Sequence, residues 1–583
     1  MPDDRTPIAV SEMAREDPEL AARLAIQALP AAAARIPGRL DYAMAVDGLG
    51  AWRVAVDNGR ASVTPIEDGE AEDNLDFRLE MDPQALAELA AGAGPLGLML
   101  SGRMRIRGKR RRALRLRALS EAQPSMSEIV RSGGDVDPDL AYRSLPYLID
   151  PEWTRGHSFV LASEIDDRRW YVHVNDGERI RVTTEPPAAG PDCTLRMPGD
   201  VYRALVAGEL RPTDASRRQL SQMDGKMFFG TLLGRWIDRA QGGDDAELER
   251  ERLQREVQER RAGSWGADGA SPGQGDPAHE AEGARRRAGG GLLTYHELYA
   301  LWERQNWRAS EIDFSVDREH WLASPTDAQR DTTWSLASFY IGEERVTATL
   351  GPFLSAAPSG EIEVFLATQL VDEARHTAMF DRFGAEVMAL SAEDLRGRIG
   401  ELEEMMLSPW RELFDGELRE VASRLKARPD DLDLFVDGIV TYHMVIEGVL
   451  AMTGQHLIGS YMADHDLYPG FRQGFSLVER DEHRHIAFGV RFLKEAVEQE
   501  PRYRERIETL VAELVPRACH VFVPPYADSA EEFVSYGYDS RQIYGFAYRA
   551  LKRRMGVIGL EVPPAVELMP GPIEEQAEEP VAG

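Results

Sequence analysis

The spelling E-x-x-H occurs twice in the C-terminal half of this chain, in D-E-A-R-H at 372–376 and in D-E-H-R-H at 481–485. Residues three apart on a helix share a face. Each repeat therefore presents a carboxylate and an imidazole, Glu373 with His376 and Glu482 with His485, to one point. A single such pair is common by chance on a charged helix; two, each beside an apolar run, are much rarer. Two further glutamates stand alone in helical text, Glu343 in I-G-E-E-R-V and Glu447 in M-V-I-E-G-V-L. Val445, Ile446, Val449, Leu450 and Met452 surround Glu447, where a carboxylate is costly to bury unless it is paired or metal-bound. Helical phase alone does not separate Glu343 from Glu344. Four helices donating Glu, Glu-x-x-His, Glu and Glu-x-x-His make the ligand set of a dinuclear metal centre inside a bundle. Such a set implies iron or manganese and chemistry with dioxygen. The competing readings are a solvated helix face, or a buried ion pair with Arg375 or Arg484.

At 583 residues the chain is too long for one hydrophobic core, and several domains are expected. A formal charge of −31 argues against nucleic acid or an anionic membrane as a general partner. Local basic text, Arg103, Arg105 and Arg107 followed by K-R-R-R at 109–112, is expected on one edge of a small domain. Only Cys193 and Cys519 occur, so no disulfide framework holds the fold, which fits a reducing cytoplasm. The N-terminus lacks a signal-peptide pattern and no uninterrupted apolar run reaches membrane-spanning length, so a cytoplasmic protein without a transmembrane segment is expected.

The first 240 residues contain a diverged tandem repeat. W-R-V-A-V-D-N-G-R at 52–60 answers to W-Y-V-H-V-N-D-G-E at 170–178, and F-R-L-E-M at 77–81 to C-T-L-R-M at 193–197. A-E-L-A-A-G at 87–92 answers to R-A-L-V-A-G at 203–208, and S-G-R-M-R-I-R-G at 101–108 has a looser counterpart beginning D-G-K-M at 224–227. Alternating strands, Asp/Asn-Gly turns and a short helix predict two α+β domains, 1–125 and 126–240, each an antiparallel sheet with helices on one side. A charged helix and a linker rich in Gly, Ala and Pro are expected over 241–291, an all-α domain over 292–560 and a disordered acidic tail over 561–583. The long gap between His376 and Glu447 suits a bundle with one crossover connection.

The tryptophan–hairpin segments, the helices ending at Gly92 and Gly208 and the S-G-R-M-R-I-R-G stretch resemble the sterol carrier protein type two family, which implies lipid binding in an apolar tunnel. The 292–560 segment resembles the ribonucleotide reductase small subunit and, most closely, its ligand-binding oxidase relatives. The phrases that carry this resemblance are W-x-x-x-x-I-D-F-S at 307–315, G-E-E-x-V-T at 342–347, D-E-A-R-H-T at 372–377, V-T-Y-H-x-x-x-E-G-x-L-A-x-T-G at 440–454 and D-E-H-R-H-x-A-F-G at 481–489. The resemblance implies a ferritin-like four-helix core and favours Glu343 over Glu344. It also implies a Mn/Fe or Fe/Fe centre with dioxygen as oxidant, a fatty acid or other hydrophobic ligand above it, and a homodimer through the bundle. It assigns Val346 and Tyr442 to a tyrosine–valine ether cross-link. Radical-bearing reductase subunits usually carry tyrosine four residues after the second helix's histidine; Phe380 stands there, which weakens the reductase reading. A dinuclear metal oxidase or oxygenase acting on a hydrophobic substrate, with an unspecified electron donor, is therefore expected. The alternatives are a reductase-like radical protein, or a lipid-binding or transfer protein with a redox-silent bundle. Asp372 and Asp481 are candidates to orient the two histidines through their remaining ring nitrogens.

Overall fold

The alternating text of the first 240 residues folds into two five-stranded sheets with one topology. The computed structural model describes residues 6–67, 75–116, 119, 124–240, 245–262 and 291–574. The chain divides into two units, Met1–Glu249 and Arg250–Gly583. In the first unit, β1 (Arg39–Val46), β2 (Gly50–Asp57), β3 (Arg60–Pro65), β4 (Phe77–Met81) and β5 (Met104–Gly108) lie in the order β3-β2-β1-β4-β5. The second sheet contains β6 (Phe159–Ile165), β7 (Arg168–Val174), β8 (Arg181–Thr183), β9 (Cys193–Met197) and β10 (Gln222–Gly225). Its order, β10-β9-β6-β7-β8, is the same arrangement read from the other edge. Asn58 and Gly59, both at positive φ, form the tight turn between β2 and β3.

Two sequence expectations need correction here. The sheets are mixed rather than antiparallel, because β1 runs parallel to β4 and β6 parallel to β9. Three strands joined by turns form a meander, and the fourth returns to the far side of the first by a crossover, which delivers a parallel neighbour. The counterpart of the closing strand was also misplaced by the D-G-K-M match. Gly108 pairs with Phe77 and Gly225 pairs with Cys193, so β5 corresponds to residues ending at Gly225, not to the text that follows it. Both glycines sit at positive φ, and at Gly108 a Cβ would meet the Asp76 carbonyl oxygen at 2.8 Å. At Gly225 the equivalent clash is with the carbonyl oxygen of Asp192. Glycine is therefore required at the same place in both copies.

One face of the first sheet is covered by helices Pro18–Ala34 and Pro83–Ala90, with Leu29, Leu86 and Leu89 packed against Tyr42, Val54 and Phe77. In the second sheet Phe159 stacks on Phe229 at 4.3 Å, and the buried Trp170 donates its indole N–H to Asp139 at 2.9 Å.

The second unit is a helical bundle. Its four central helices are Thr326–Ser355, Gly360–Glu386, a continuous helix over Leu432–Asp464, and Pro469–Gln499. Ser359 and Asp431 cap the second and third by accepting the N–H groups of Ile362 and Leu434, and Pro469 opens the fourth. Short connections join the first helix to the second and the third to the fourth. The crossover between second and third is filled by shorter helices from Leu395 to Ala427. Leu432–Asp464 is long and apolar enough to cross a membrane, but 83% of its apolar window is buried inside the protein.

The charged helix Asp245–Arg261 is present. Gln258 is buried and donates to the Val387 carbonyl at 2.6 Å, and Arg261 donates to that of Ala392 at 2.9 Å. The expected linker over 263–290 lies outside the described residues, as do 575–583. Residues 561–574 differ from the disorder expected of them: Leu568 and Met569 are buried, and Met569 Sδ lies 3.6 Å from Cys519 Sγ. The apolar pair Leu568–Met569 inside acidic text supplies that anchor.

His320, on helix Ser315–Ala323, accepts the Tyr468 N–H through Nδ1 at 3.0 Å. Burial lowers its pKa from the model-peptide 6.5 to about 4, with Asp466 opposing and Arg472 assisting. A histidine whose folded pKa lies below its unfolded one contributes stability that is complete above pH 6.5 and is lost as pH falls through 4. The loss is on the order of 3 kcal/mol. Asp317 on the same helix acts in the opposite sense, since burial raises it to about 6. The check is therefore a difference: denaturant melts of wild type and His320→Asn across this window. The asparagine keeps an acceptor for Tyr468, so the variant loses the histidine's contribution to the acid slope and retains the rest.

Candidate metal centre

Each side chain singled out by its spacing reaches the middle of the bundle. Glu343 comes from the first helix, Glu373 and His376 from the second, Glu447 from the third, and Glu482 and His485 from the fourth. All six are buried. They form two overlapping groups, Glu343, Glu373, His376 and Glu482, and Glu373, Glu447, Glu482 and His485. Within each group the donor atoms lie within 4.8 Å of one another. Glu373 and Glu482 belong to both. Glu344 does not join either group; it pairs with Arg345.

The third helix widens where it meets the centre. Val440–Ala451 is π-helical. On an α-helix, residues five apart point about 140° away from each other; an i→i+5 repeat stacks them instead. Tyr442 and Glu447 consequently address the same site. Tyr442 donates to Glu373 Oε1 at 2.6 Å, and Glu447 Oε1 accepts from Gln369 Nε2 at 3.0 Å. Gln369 also donates to the Tyr442 hydroxyl at 3.1 Å and lies 3.0 Å from His443 Nε2 through its own oxygen. The sequence reading missed Gln369, although it lies four residues before Glu373 and so on the same helix face.

Both candidate ligand imidazoles turn Nδ1 inward. His376 Nδ1 lies 3.4 Å from Glu343, 3.5 Å from Glu373 and 3.6 Å from Glu482. His485 Nδ1 lies 3.2 Å from both Glu373 and Glu447 and 3.8 Å from Glu482. The outward Nε2 atoms are held crosswise. Asp372, beside Glu373, faces His485 at 3.2 Å, and Asp481, beside Glu482, faces His376 at 3.4 Å. Trp302 and Trp307 donate to Asp372 and Asp481 at 2.9 and 2.8 Å. Arg484 spans both aspartates at 2.6 and 3.0 Å, and Arg375 pairs with Asp372. The two arginines are thus committed to the supporting aspartates, and among the described residues no arginine or lysine forms an ion pair with the four glutamates.

The electrostatics follow from that arrangement. Burial raises Glu343 to about 8 against the pull of His376, and raises Glu482 to about 7, reinforced by Glu373. Burial and Glu482 hold Glu447 well above the carboxylate range. Burial also pushes Glu373 upward, but hydrogen bonds to both histidines more than offset it and hold its carboxyl low. Burial alone would lower the two histidines; Glu343 beside His376 and Glu447 beside His485 raise them instead. Buried Glu447 Oε2 and Glu482 Oε2 have no hydrogen-bond partner among the described residues. Four clustered carboxylates, two of them with orphaned oxygens, and two inward imidazole nitrogens fit a pair of divalent cations of the iron or manganese type.

An apolar cavity of about 110 Å³ meets this cluster. All four glutamates line it, together with Phe339, Val346, Phe414, Tyr442, Ile446 and Leu457. Phe380 is buried against Phe339, Phe471 and Phe475 and itself carries no phenol.

A bundle that brings two Glu-x-x-His helices and two Glu helices together belongs to the class of ferritin-like proteins able to hold a dinuclear metal centre. Residues 293–521 match the family described as ribonucleotide reductase, small chain, and residues 20–121 match the SCP-2 sterol transfer family. Among solved structures, the chain is similar to a variant of an R2-like ligand-binding oxidase with anaerobically reconstituted Mn/Fe cofactor, at 25% identity and a TM-score of 0.40 over 46% of this chain and 93% of that one. A second variant of that oxidase, also with anaerobically reconstituted Mn/Fe cofactor, matches at 25% identity and a TM-score of 0.39, with the same coverage.

The crossed support makes a specific prediction. Asp372→Asn should weaken metal binding at the group containing Glu447 and His485, and Asp481→Asn at the group containing Glu343 and His376, each by about 10- to 100-fold. Manganese titrations of the two variants check this. Equal loss at both groups from either change would contradict the crossed arrangement.

Proposed function

We propose that the C-terminal unit is a dinuclear metal oxidase or oxygenase that activates dioxygen and acts on a hydrophobic molecule. The observation that carries this reading is the contact between the six-residue cluster and the apolar cavity: the oxidising centre and the space for an apolar substrate share the four glutamates as a wall. Glu343, Glu373, His376, Glu447, Glu482 and His485 would hold the ions, with Glu373 and Glu482 shared between them. A Mn/Fe or Fe/Fe pair would supply the electrons and Lewis acidity that dioxygen reduction needs.

The protein's own groups set the conditions for that chemistry. Asp372 and Asp481 fix each imidazole with Nδ1 inward. The phenol of Tyr442 is held on Glu373 Oε1, where burial and the neighbouring carboxylates keep its proton in place at neutral pH. The aromatic and aliphatic wall excludes water and favours a lipid-like occupant, such as a fatty acid. Val346 and Tyr442 both line the cavity, and we assign them as the pair joined by an ether bond. One hydrogen leaves each side chain, and the two electrons pass to dioxygen. The SCP-2-like copies in the first unit would supply the hydrophobic molecule; an external electron donor would complete a catalytic cycle. Homodimerisation through the bundle and a cytoplasmic location complete the proposal.

The test is intact-mass analysis after anaerobic loading with Mn(II) and Fe(II) and then exposure to air, with oxygen uptake recorded alongside. Oxygen consumption together with the loss of two hydrogens in wild type, but not in Tyr442→Phe, supports the assignment. Metal-loaded protein that consumes no oxygen would overturn the oxidase reading and favour a lipid-binding protein with a silent bundle.

A further inference from the structure

The basic run that the metal chemistry leaves unused lies on an edge strand. Eight basic and no acidic side chains occur between residues 94 and 116. Arg105 and Arg107 point outward from β5, the last strand of its sheet, while Met104 and Ile106 point into the core. Lys109 and Arg112 are tethered by the buried Asp76 at 3.1 and 2.6 Å, and Arg107 by Glu80 at 3.2 Å, yet all three remain at least half exposed. Arg111 is exposed as well. Immediately before this strand stands the helix Pro95–Leu100, P-L-G-L-M-L. Leu98 is buried, but Leu96 and Leu100, one turn apart on the same face, are 62% and 89% exposed.

The second copy shows that the fold does not need this surface. Its equivalent helix, Pro212–Arg217, reads P-T-D-A-S-R, and its equivalent strand, β10, reads Q-M-D-G. There the cross-strand pair is inverted, with Arg196 on the inner strand and Asp224 on the edge in place of Glu80 and Arg107. An exposed leucine pair feeding a basic edge is therefore an addition particular to the first copy.

We infer that residues 95–112 dock the first copy onto an anionic lipid surface, with Leu96 and Leu100 entering the acyl boundary and Arg105, Arg107, Lys109, Arg111 and Arg112 contacting headgroups. Apolar insertion beside a basic rim is the chemistry such a surface recognises. The overall charge of −31 does not oppose it, because charges beyond about 10 Å are screened at physiological salt while the patch lies in contact. A purely polyanionic partner would use the arginines and leave the leucines idle. The inference does not depend on the metal centre.

The experiment is co-sedimentation of the full chain with vesicles of equimolar phosphatidylcholine and phosphatidylglycerol, against vesicles of phosphatidylcholine alone. Binding to the anionic vesicles is expected. It should fall about 100-fold in Arg105→Gln/Arg107→Gln/Arg111→Gln. It should fall about tenfold in Leu96→Thr/Leu100→Gln, whose side chains are exposed and leave the core intact. Arg169→Gln/Arg181→Gln, on the second sheet, should bind as wild type does. Failure of wild type to bind, equal binding to both vesicles, or dependence on the arginines without the leucines would each overturn the inference.

Discussion

Glu373→Ala is expected to abolish binding of both ions, whereas Glu343→Ala and Glu447→Ala should each spare the opposite group. Glu373 is common to the two sets of donors and is the one glutamate of the four whose carboxyl is held below its ordinary pKa, so it is ionised and would serve both ions. Glu343 and Glu447 each belong to one set. Ligand binding to the folded state alone stabilises it by about 2.7 kcal/mol at a hundredfold excess over Kd. Thermal melts with and without Mn(II) should therefore show a rise for wild type, a smaller rise for the two single-group variants, and none for Glu373→Ala. In metal-free protein the sign differs. Burial and mutual repulsion already disfavour the charged forms of Glu343, Glu447 and Glu482, so alanine at Glu343 or Glu447 should leave the metal-free melt unchanged or raised. A variant that lost metal only because it unfolded would fail that control.

Arg484→Met should be among the most destabilising single changes in the bundle, costing about 3–5 kcal/mol in the metal-free protein. Arg484 is 2% exposed, and its guanidinium holds Asp372 at 2.6 Å, Asp481 at 3.0 Å and the Gln305 side-chain oxygen at 2.8 Å. Methionine fills similar volume but leaves two fully buried aspartates with less positive charge, retaining Arg375 and His485 beside Asp372 and His376 beside Asp481. The desolvation of those carboxylates is then less well compensated. Urea denaturation measures the effect. A loss below about 1 kcal/mol, the level of an exposed pair, would show that the web contributes little to stability.

How much of this was legible in the sequence depended on the range of the signal. Spacing within one helix carried the two Glu-x-x-His pairs, and the apolar surroundings marked Glu447. The structure brings those side chains to one place with Glu343. The crossed pairing of Asp372 with His485 and Asp481 with His376 was not legible, because adjacency in sequence suggested nothing about which histidine each would reach. The π-helical turn was hidden for a different reason. The polar positions of Val440–Ala451, Thr441, His443 and Glu447, are too few to distinguish one helical pitch from another. In the first unit the tandem copies were plain from Trp52 and Trp170. The parallel β1–β4 pair needed the crossover to be known, and D-G-K-M drew the alignment past Gly225 because it preserves residue types rather than the glycine's place beside Asp192.

Six side chains from four helices are expected to hold two ions in this bundle. Anomalous diffraction from crystals of the manganese-loaded chain tests it most directly. Two peaks are expected, one within bonding distance of Glu343, Glu373, His376 and Glu482, the other of Glu373, Glu447, Glu482 and His485. A single peak, or peaks away from Glu373 and Glu482 with the cluster closed by internal hydrogen bonds, would contradict it.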